Sequence, residues 1–258
     1  MPRLLILTAV AAERDAVLRA LPGQPAAGQL AGMPVLRAAT PAGLVDVAAG
    51  GVGPVAVALS AAGLLAAVGY DAVFSAGIAG GFPPAEPGGL VAANGVALAD
   101  LGAELADGGF AALPELGMGE VAFDTDPALA RLLAERAGAI IGTVLTVSTV
   151  TGSRDRAERL RRAYPHAVAE GMEGAAVAMA AQRAGVRFGE LRAVSNLVGP
   201  RDRDSWRLPE ALAALAGGFE RVLATPIELF AAEAAESSPS SFPPSSFPPS
   251  CFPPDGGD

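Results

Sequence analysis

The chain has 258 residues, a net charge of −9, and a composition that is 51% hydrophobic and only 17% charged. That length suits one sizeable α/β domain with a large core, and without a basic face nucleic acid is not an expected partner. All 18 positive charges are arginines, and the lone cysteine and histidine are Cys251 and His166; Schiff-base and Walker-lysine chemistry, a disulfide, a thiol-ligated metal and a histidine metal cluster are therefore excluded.

Residues 1–7 are apolar but too short for a leader, and Glu13-Arg14-Asp15 follows them, so a first core strand over Leu4–Val10 is expected. A helix over Ala12–Ala20 comes next, then strands over Pro34–Arg37 and Val45–Ala49 and a helix over Pro54–Ala67. Strands over Ala72–Ala76 and Gly95–Ala99 precede a helix over Pro127–Ala137. After these come a strand over Val144–Ser148, a helix over Arg154–Arg162, and His166 in a turn before a short strand. A helix over Gly174–Ala184, a strand over Leu191–Ser195 and a helix over Pro209–Ala232 complete the pattern. This alternation implies an α/β fold, a three-layer α/β/α domain with a central mixed β-sheet. No apolar run reaches the ~18 residues of a membrane helix, so a cytoplasmic protein is expected. The domain spans 1–235. The tail, 236–258, repeats Ser240-Ser241-Phe242-Pro243-Pro244 and reads as an extended, disordered extension or, less simply, a Pro-rich docking peptide.

Several short segments carry chemistry. Glu13 follows the first strand and stands in the first turn of a helix: either a complement to the helix dipole or a general base aimed into the crevice at the strand ends. Gly50-Gly51-Val52-Gly53-Pro54 is either an anion-binding turn or a tight turn for helix packing, and it fails the dinucleotide fingerprint because Ala56 replaces the last glycine. Gly77-Ile78-Ala79-Gly80-Gly81 lets the backbone pass close to a ligand. Met172-Glu173 opens an Ala-rich helix, with Glu173 either a simple N-terminal charge or a holder of sugar hydroxyls. Asn196 ends a strand, as a turn residue or a reader of a base edge. The loop after it carries Arg201 and Arg203, as a solvated face or as a lid over an anionic substrate.

In this order the segments resemble the purine nucleoside phosphorylase and nucleosidase superfamily, in the branch that holds methylthioadenosine/S-adenosylhomocysteine nucleosidase. The resemblance covers nearly all of residues 3–230. Met172-Glu173-Gly174-Ala175-Ala176 and Ser195-Asn196-Leu197-Val198-Gly199, followed by Arg201-Asp202, are most similar to the futalosine hydrolase family. That family removes hypoxanthine from futalosine, leaving dehypoxanthine futalosine, in an alternative menaquinone pathway. The resemblance implies a nucleoside phosphorylase-like fold, a small-molecule nucleoside substrate, no cofactor and a homo-oligomer. It makes Glu13 the activator of the attacking water and Glu173 the holder of the ribose hydroxyls, with Met172 under the sugar. The purine is flanked near Val150 and Thr151, where adenine-specific relatives carry an aromatic.

Two departures refine this. Asn196 stands where adenine-cleaving relatives have Asp. A carboxamide accepts from a purine N7–H and donates to a 6-oxo group at once, and hydrogen-bonding sites discriminate such pairs by roughly 10⁴-fold; hypoxanthine is the expected leaving base. Ile78 stands, after Gly77, where phosphorylases place a hydroxyl for phosphate, so water is the expected nucleophile. Arg201 or Arg203 is expected to pair with the benzoate at the 5′ end of futalosine. The rivals are the adenine-releasing nucleosidase, a phosphorylase, and a non-catalytic purine nucleoside sensor.

Overall fold

The computed structural model describes residues 1–227. The tail and the last residues of the helix expected over Pro209–Ala232 lie outside the described residues. In chain order the elements are β1 (Arg3–Thr8), α1 (Ala11–Leu18), β2 (Ala26–Leu30), β3 (Met33–Thr40), β4 (Gly43–Ala49), α2 (Pro54–Ala67), β5 (Ala72–Gly81), β6 (Leu90–Leu98), β7 (Gly102–Glu104), β8 (Phe110–Ala112) and β9 (Ala122–Asp124). They continue as α3 (Pro127–Ala137), β10 (Ile140–Thr146), α4 (Arg154–Ala163), β11 (Ala167–Gly171), α5 (Gly174–Ala184), β12 (Arg187–Leu197) and α6 (Leu208–Leu223).

The helices have local causes. Asp126 Oδ1 accepts from the backbone N–H groups of Ala128 and Leu129 at 2.9 and 3.1 Å, Pro127 takes the first helical position, and Gly138 ends α3 at φ 68°. Gly185, at φ 66°, ends α5 in the same way. α6 stops at Leu223, well short of Ala232, because Pro226 follows and Arg136 Nη1 caps its end, donating to Val222 O and Thr225 O at 3.0 Å each.

The main sheet runs β11-β10-β6-β12-β5-β1-β4-β3-β2, with β9 on β6. β5, β1, β4 and β12 are mutually parallel where they pair, β6 is antiparallel to β12, and β2-β3-β4 is an antiparallel meander. β11 pairs with β10 and also with β5, so β11, β10, β6, β12 and β5 close a ring. Side chains alternate in β1: Leu5 and Leu7 join a core under α2 and α5 with Val57, Leu64 and Ala175, whereas Leu4 and Ile6 join a core under α1, α3 and α6 with Val17, Leu133 and Phe219. Each fully buried Leu or Phe contributes about 1.5–3 kcal/mol. The fold is thus a mixed α/β layer structure. No helix among the described residues is long and apolar enough to cross a membrane.

All seven expected strands differ in at least one bound, and two of the differences build the site. β1 stops at Thr8 and Val10 becomes the cap of α1. β5 and β12 run past Ala76 and Ser195 to Gly81 and Leu197. The glycines of β5 weaken its strand signal, yet β11 and β12 supply its hydrogen bonds on both sides.

A buried charge clamps the far side of the sheet. Asp46 of β4 has no exposed surface. Its carboxylate accepts from Arg37 Nε at 2.6 Å, Arg3 Nη2 at 2.9 Å and Tyr70 Oη at 2.8 Å. Burial works to raise the Asp46 pKa, but these donors outweigh it and hold the group below its usual range. The depressed folded value means that this stabilisation is present above the ordinary carboxylate pKa of about 3.9 and is lost as the pH falls through the folded value. Asp46→Asn is expected to cost about 3 kcal/mol at pH 7, read as a lower urea midpoint with an unchanged slope.

Candidate active site

The site gathers at the carboxyl ends of β1, β5 and β12, the usual ligand crevice of an α/β sheet. Glu13 lies on the first turn of α1 and is 4% exposed. Its Oε2 accepts from the N–H groups of Ala9 and Val10 at 3.0 and 3.2 Å, and its Oε1 from Ile78 N at 2.9 Å. Backbone from two strand ends thus fixes this carboxylate. Gly77 is required beside it: a Cβ there would meet Glu13 Oε1 at 2.6 Å and Arg192 Nη1 at 2.7 Å. What approaches Gly77 is therefore the protein's own Glu13 and Arg192 side chains.

Glu173 caps α5 in sequence position, yet its side chain does not cap that helix. Oε1 accepts from Gly53 N at 3.1 Å, and Oε2 from Met172 N at 3.3 Å and Arg192 Nη1 at 3.2 Å. The Gly50–Pro54 turn is thus an anion-binding turn, and the anion is Glu173. Met172 is half-buried beside it.

Arg192, on β12, joins the carboxylates and is 1% exposed. Nε donates to Glu190 Oε1 at 2.6 Å, Nη2 to Ser75 Oγ at 2.9 Å and Nη1 to Glu173 Oε2. Burial alone would lower the Arg192 pKa; Glu190, Glu173 and Glu13 reverse this and push it above its ordinary value. Burial raises that of Glu190, whose Oε2 makes no hydrogen bond. Glu190 fits only because residue 174 is glycine, since a Cβ on Gly174 would run into both Glu190 carboxylate oxygens.

A second cluster lies further along β5. Gly80, Val150, Thr151, Asn196, Arg201 and Trp206 are among the residues around a cavity of about 70 Å³. Asn196 Oδ1 accepts from Ser195 Oγ at 2.8 Å, and its Nδ2 donates to Leu197 O at 2.9 Å. The Arg201 guanidinium stacks 5.3 Å from the centre of the Trp206 ring. Glu170 faces the same cavity and is 6% exposed. Its Oε1 accepts from Thr151 N at 2.8 Å and its Oε2 from Thr151 Oγ1, and burial raises its pKa.

The structure thus brings Glu13, Gly77, Ile78, Met172 and Glu173 together around Arg192, and Val150, Thr151, Asn196 and Arg201 around the cavity. Gly77 and Gly80 on β5 set the two groups roughly 10 Å apart. Arg203 stands apart, exposed in a short turn over 203–205. Sequence reasoning missed Ser75, Glu170, Glu190 and Arg192. The available signal was a charged residue inside an apolar strand: Glu190-Leu191-Arg192 puts two charges on one strand face.

Residues 3–224 match the phosphorylase superfamily. A futalosine hydrolase of Streptomyces coelicolor is 51% identical over 218 residues, covering 82% of this chain and 91% of the relative. One from Acidothermus cellulolyticus is 47% identical over 221 residues, covering 83% and 88%. The chain belongs to the phosphorylase superfamily, within the futalosine hydrolase family. Among solved structures, futalosine hydrolase of Helicobacter pylori superposes with a TM-score of 0.75 at 22% identity, covering 86% of this chain and 97% of that one. The 5′-methylthioadenosine/S-adenosylhomocysteine nucleosidase of the same organism, with butyl-thio-DADMe-Immucillin-A, gives 0.76 at 22% identity, covering 86% and 97%. These structures share the nucleosidase fold.

The close fit of Glu190 against Gly174 makes one expectation for this family member. Gly174→Ala should destabilise the fold by about 1–3 kcal/mol through overpacking. Adding Glu190→Ala should recover part of that loss, a non-additivity visible as a higher thermal midpoint for the double variant than additive losses allow.

Proposed function

We propose that this chain is an N-glycosidase that hydrolyses futalosine, releasing hypoxanthine and dehypoxanthine futalosine, as part of menaquinone formation. The observation that carries the reading is the pair of buried carboxylates, Glu13 held by backbone N–H groups and Glu173 held by Arg192 and Gly53 N, near a cavity lined by Asn196. It agrees with what the two relatives are named for.

The chemistry follows from the geometry. As the N-glycosidic bond lengthens, positive charge gathers on the ribosyl carbon and negative charge on the base, as in other oxocarbenium-like glycosyl transfers. Glu173 holds the 2′- and 3′-hydroxyls, with Met172 under the sugar. Glu13, its orientation fixed by three backbone N–H groups, takes a proton from the attacking water. Arg192 holds Glu173 through a hydrogen bond and offsets the charge of Glu13 without touching the substrate. Asn196 accepts from N7–H and donates to O6 of the departing base, and Val150 and Thr151 flank the ring. Ser75, whose Oγ accepts from Arg192 Nη2, is committed to the buried network, which supports water over phosphate as nucleophile.

Arg201 is our candidate for the benzoate at the 5′ end, since it lines the cavity and is stacked on Trp206; Arg203 is the weaker candidate. We place the enzyme in the cytoplasm, as a homo-oligomer acting without a cofactor. Incubation of the purified chain with futalosine, with and without phosphate, should release hypoxanthine at equal rates in both, read by chromatography. Glu13→Gln is expected to lower kcat by about 10²–10⁴-fold with little change in futalosine binding. Phosphate-dependent release, or full turnover by Glu13→Gln, would refute the mechanism.

A further inference from the structure

Glu190 is fully buried and has no task in the mechanism above, yet it makes the shortest hydrogen bond to Arg192, 2.6 Å at Nε. Strand register puts it there. β12 pairs parallel with β5 and sets Glu190 opposite Ser75 and Arg192 opposite Gly77. Residues two apart on a strand, and those opposite them on its neighbour, project to one face of the sheet. Glu190, Arg192 and Ser75 therefore share a face, and Gly77 leaves it open for the long arginine side chain.

The guanidinium lies against two residues without side chains: a Cβ on Gly77 would stand 2.7 Å from Nη1, and one on Gly171 would stand 3.4 Å from Cζ. Its direction within that space is set by its partners. Glu190 Oε1 accepts from Nε; Ser75 Oγ accepts from Nη2 at 2.9 Å and lies 3.5 Å from the same Glu190 oxygen. With that edge taken, Nη1 is left for Glu173 Oε2 at 3.2 Å. Glu190 also packs against the backbone just after Glu173, because both its oxygens crowd the place of a Cβ on Gly174. One carboxylate thus braces the arginine that holds Glu173 and the chain that carries it. Its Oε2 makes no hydrogen bond, which costs stability in a buried acceptor, and burial raises the pKa of the group. Charge at this position is a cost, and reach is what the cluster uses.

We propose that Glu190 is a positioning residue for Glu173: by taking Arg192 Nε it turns Nη1 onto Glu173 Oε2 and so fixes the carboxylate that holds the ribose hydroxyls. This rests on the proposed nucleosidase reading and deepens it. Glu190 acts through Arg192 and never meets the substrate. Its effect on the reaction is geometric, and small misplacements of a substrate-holding group are costly. A neutral acceptor of the same length can do the same work, since an amide oxygen also accepts from Nε. A shorter acid cannot, because it withdraws its oxygens from both Nε and Gly174.

The test uses the full chain with futalosine and its 3′-deoxy counterpart, which lacks one hydroxyl for Glu173. The wild type is expected to cleave futalosine at least ~10-fold better, in kcat/KM, than the 3′-deoxy compound. Glu190→Gln keeps the reach and loses the charge; it should cost ~3-fold on futalosine and keep the preference for the 3′-hydroxyl. Glu190→Asp keeps the charge and loses the reach; it should cost ~10-fold or more on futalosine and much less on the 3′-deoxy compound, so that the preference shrinks. The preference is a ratio measured on one sample of each variant, so any loss of folded protein cancels. If Glu190→Asp keeps wild-type activity, or is the more active of the two variants, charge and not reach matters and the inference is overturned. If both variants lower kcat/KM on both substrates by one factor, Glu190 only fills space and the inference is overturned. A wild type that cleaves both compounds equally well overturns it too, while the nucleosidase reading stands. A wild type inert on futalosine overturns both.

Discussion

One buried guanidinium organises the site. Arg192 is surrounded by Glu190, Glu173, Ser75 and the field of Glu13, with almost no solvent contact. Carboxylates crowded in a low-dielectric interior would repel one another or take up protons. A permanent positive charge between them is the condition for keeping them close. Removing one member of such a cluster strands the rest, which is more costly than never having built it. The backbone is arranged around that cluster: Gly77 and Gly174 lack side chains where Glu13, Arg192 and Glu190 need the room.

The topology then decides what the charges can do. β5 is central, bonded to β1, β12 and β11. Its stretch from Gly77 to Gly81 lies between the charge cluster and the cavity at Asn196. On the proposed reading the sugar lies at one end of this stretch and the base at the other, a span of roughly 10 Å. The closed ring of β11, β10, β6, β12 and β5 fixes the relation between Glu170, Gly80 and Asn196 through strand register and not through loop geometry, which is why their spacing is a property of the fold.

Much of this was legible before the structure, and the legible parts share a cause. The helices over Pro54–Ala67, Pro127–Ala137 and Gly174–Ala184 begin and end where expected, because proline or a small residue marks the start and glycine in a left-handed conformation closes two of them. β2, β7, β8 and β9 carry no comparable signal: they are short, and β2 is largely exposed. The extension of β5 through its glycines came from pairing partners far away in sequence. Glu13, Glu173 and Asn196 were visible because each stands at an element boundary next to a recognisable motif. Arg192, Glu190 and Glu170 lie inside apolar strands, and reading strands by hydrophobic periodicity treats an interior charge as noise. Their meaning depends on contacts between residues over a hundred positions apart, such as Arg192 with Ser75.

The most direct test of the account is a crystal structure of the chain with an uncleavable futalosine analogue. The ribose hydroxyls are expected at hydrogen-bonding distance, about 2.6–3.2 Å, from Glu173, with a water between Glu13 and the anomeric carbon, the base beside Asn196, and Arg192 unmoved. A ligand seated away from Glu13 and Glu173, with its base outside the Asn196 cavity, would contradict it.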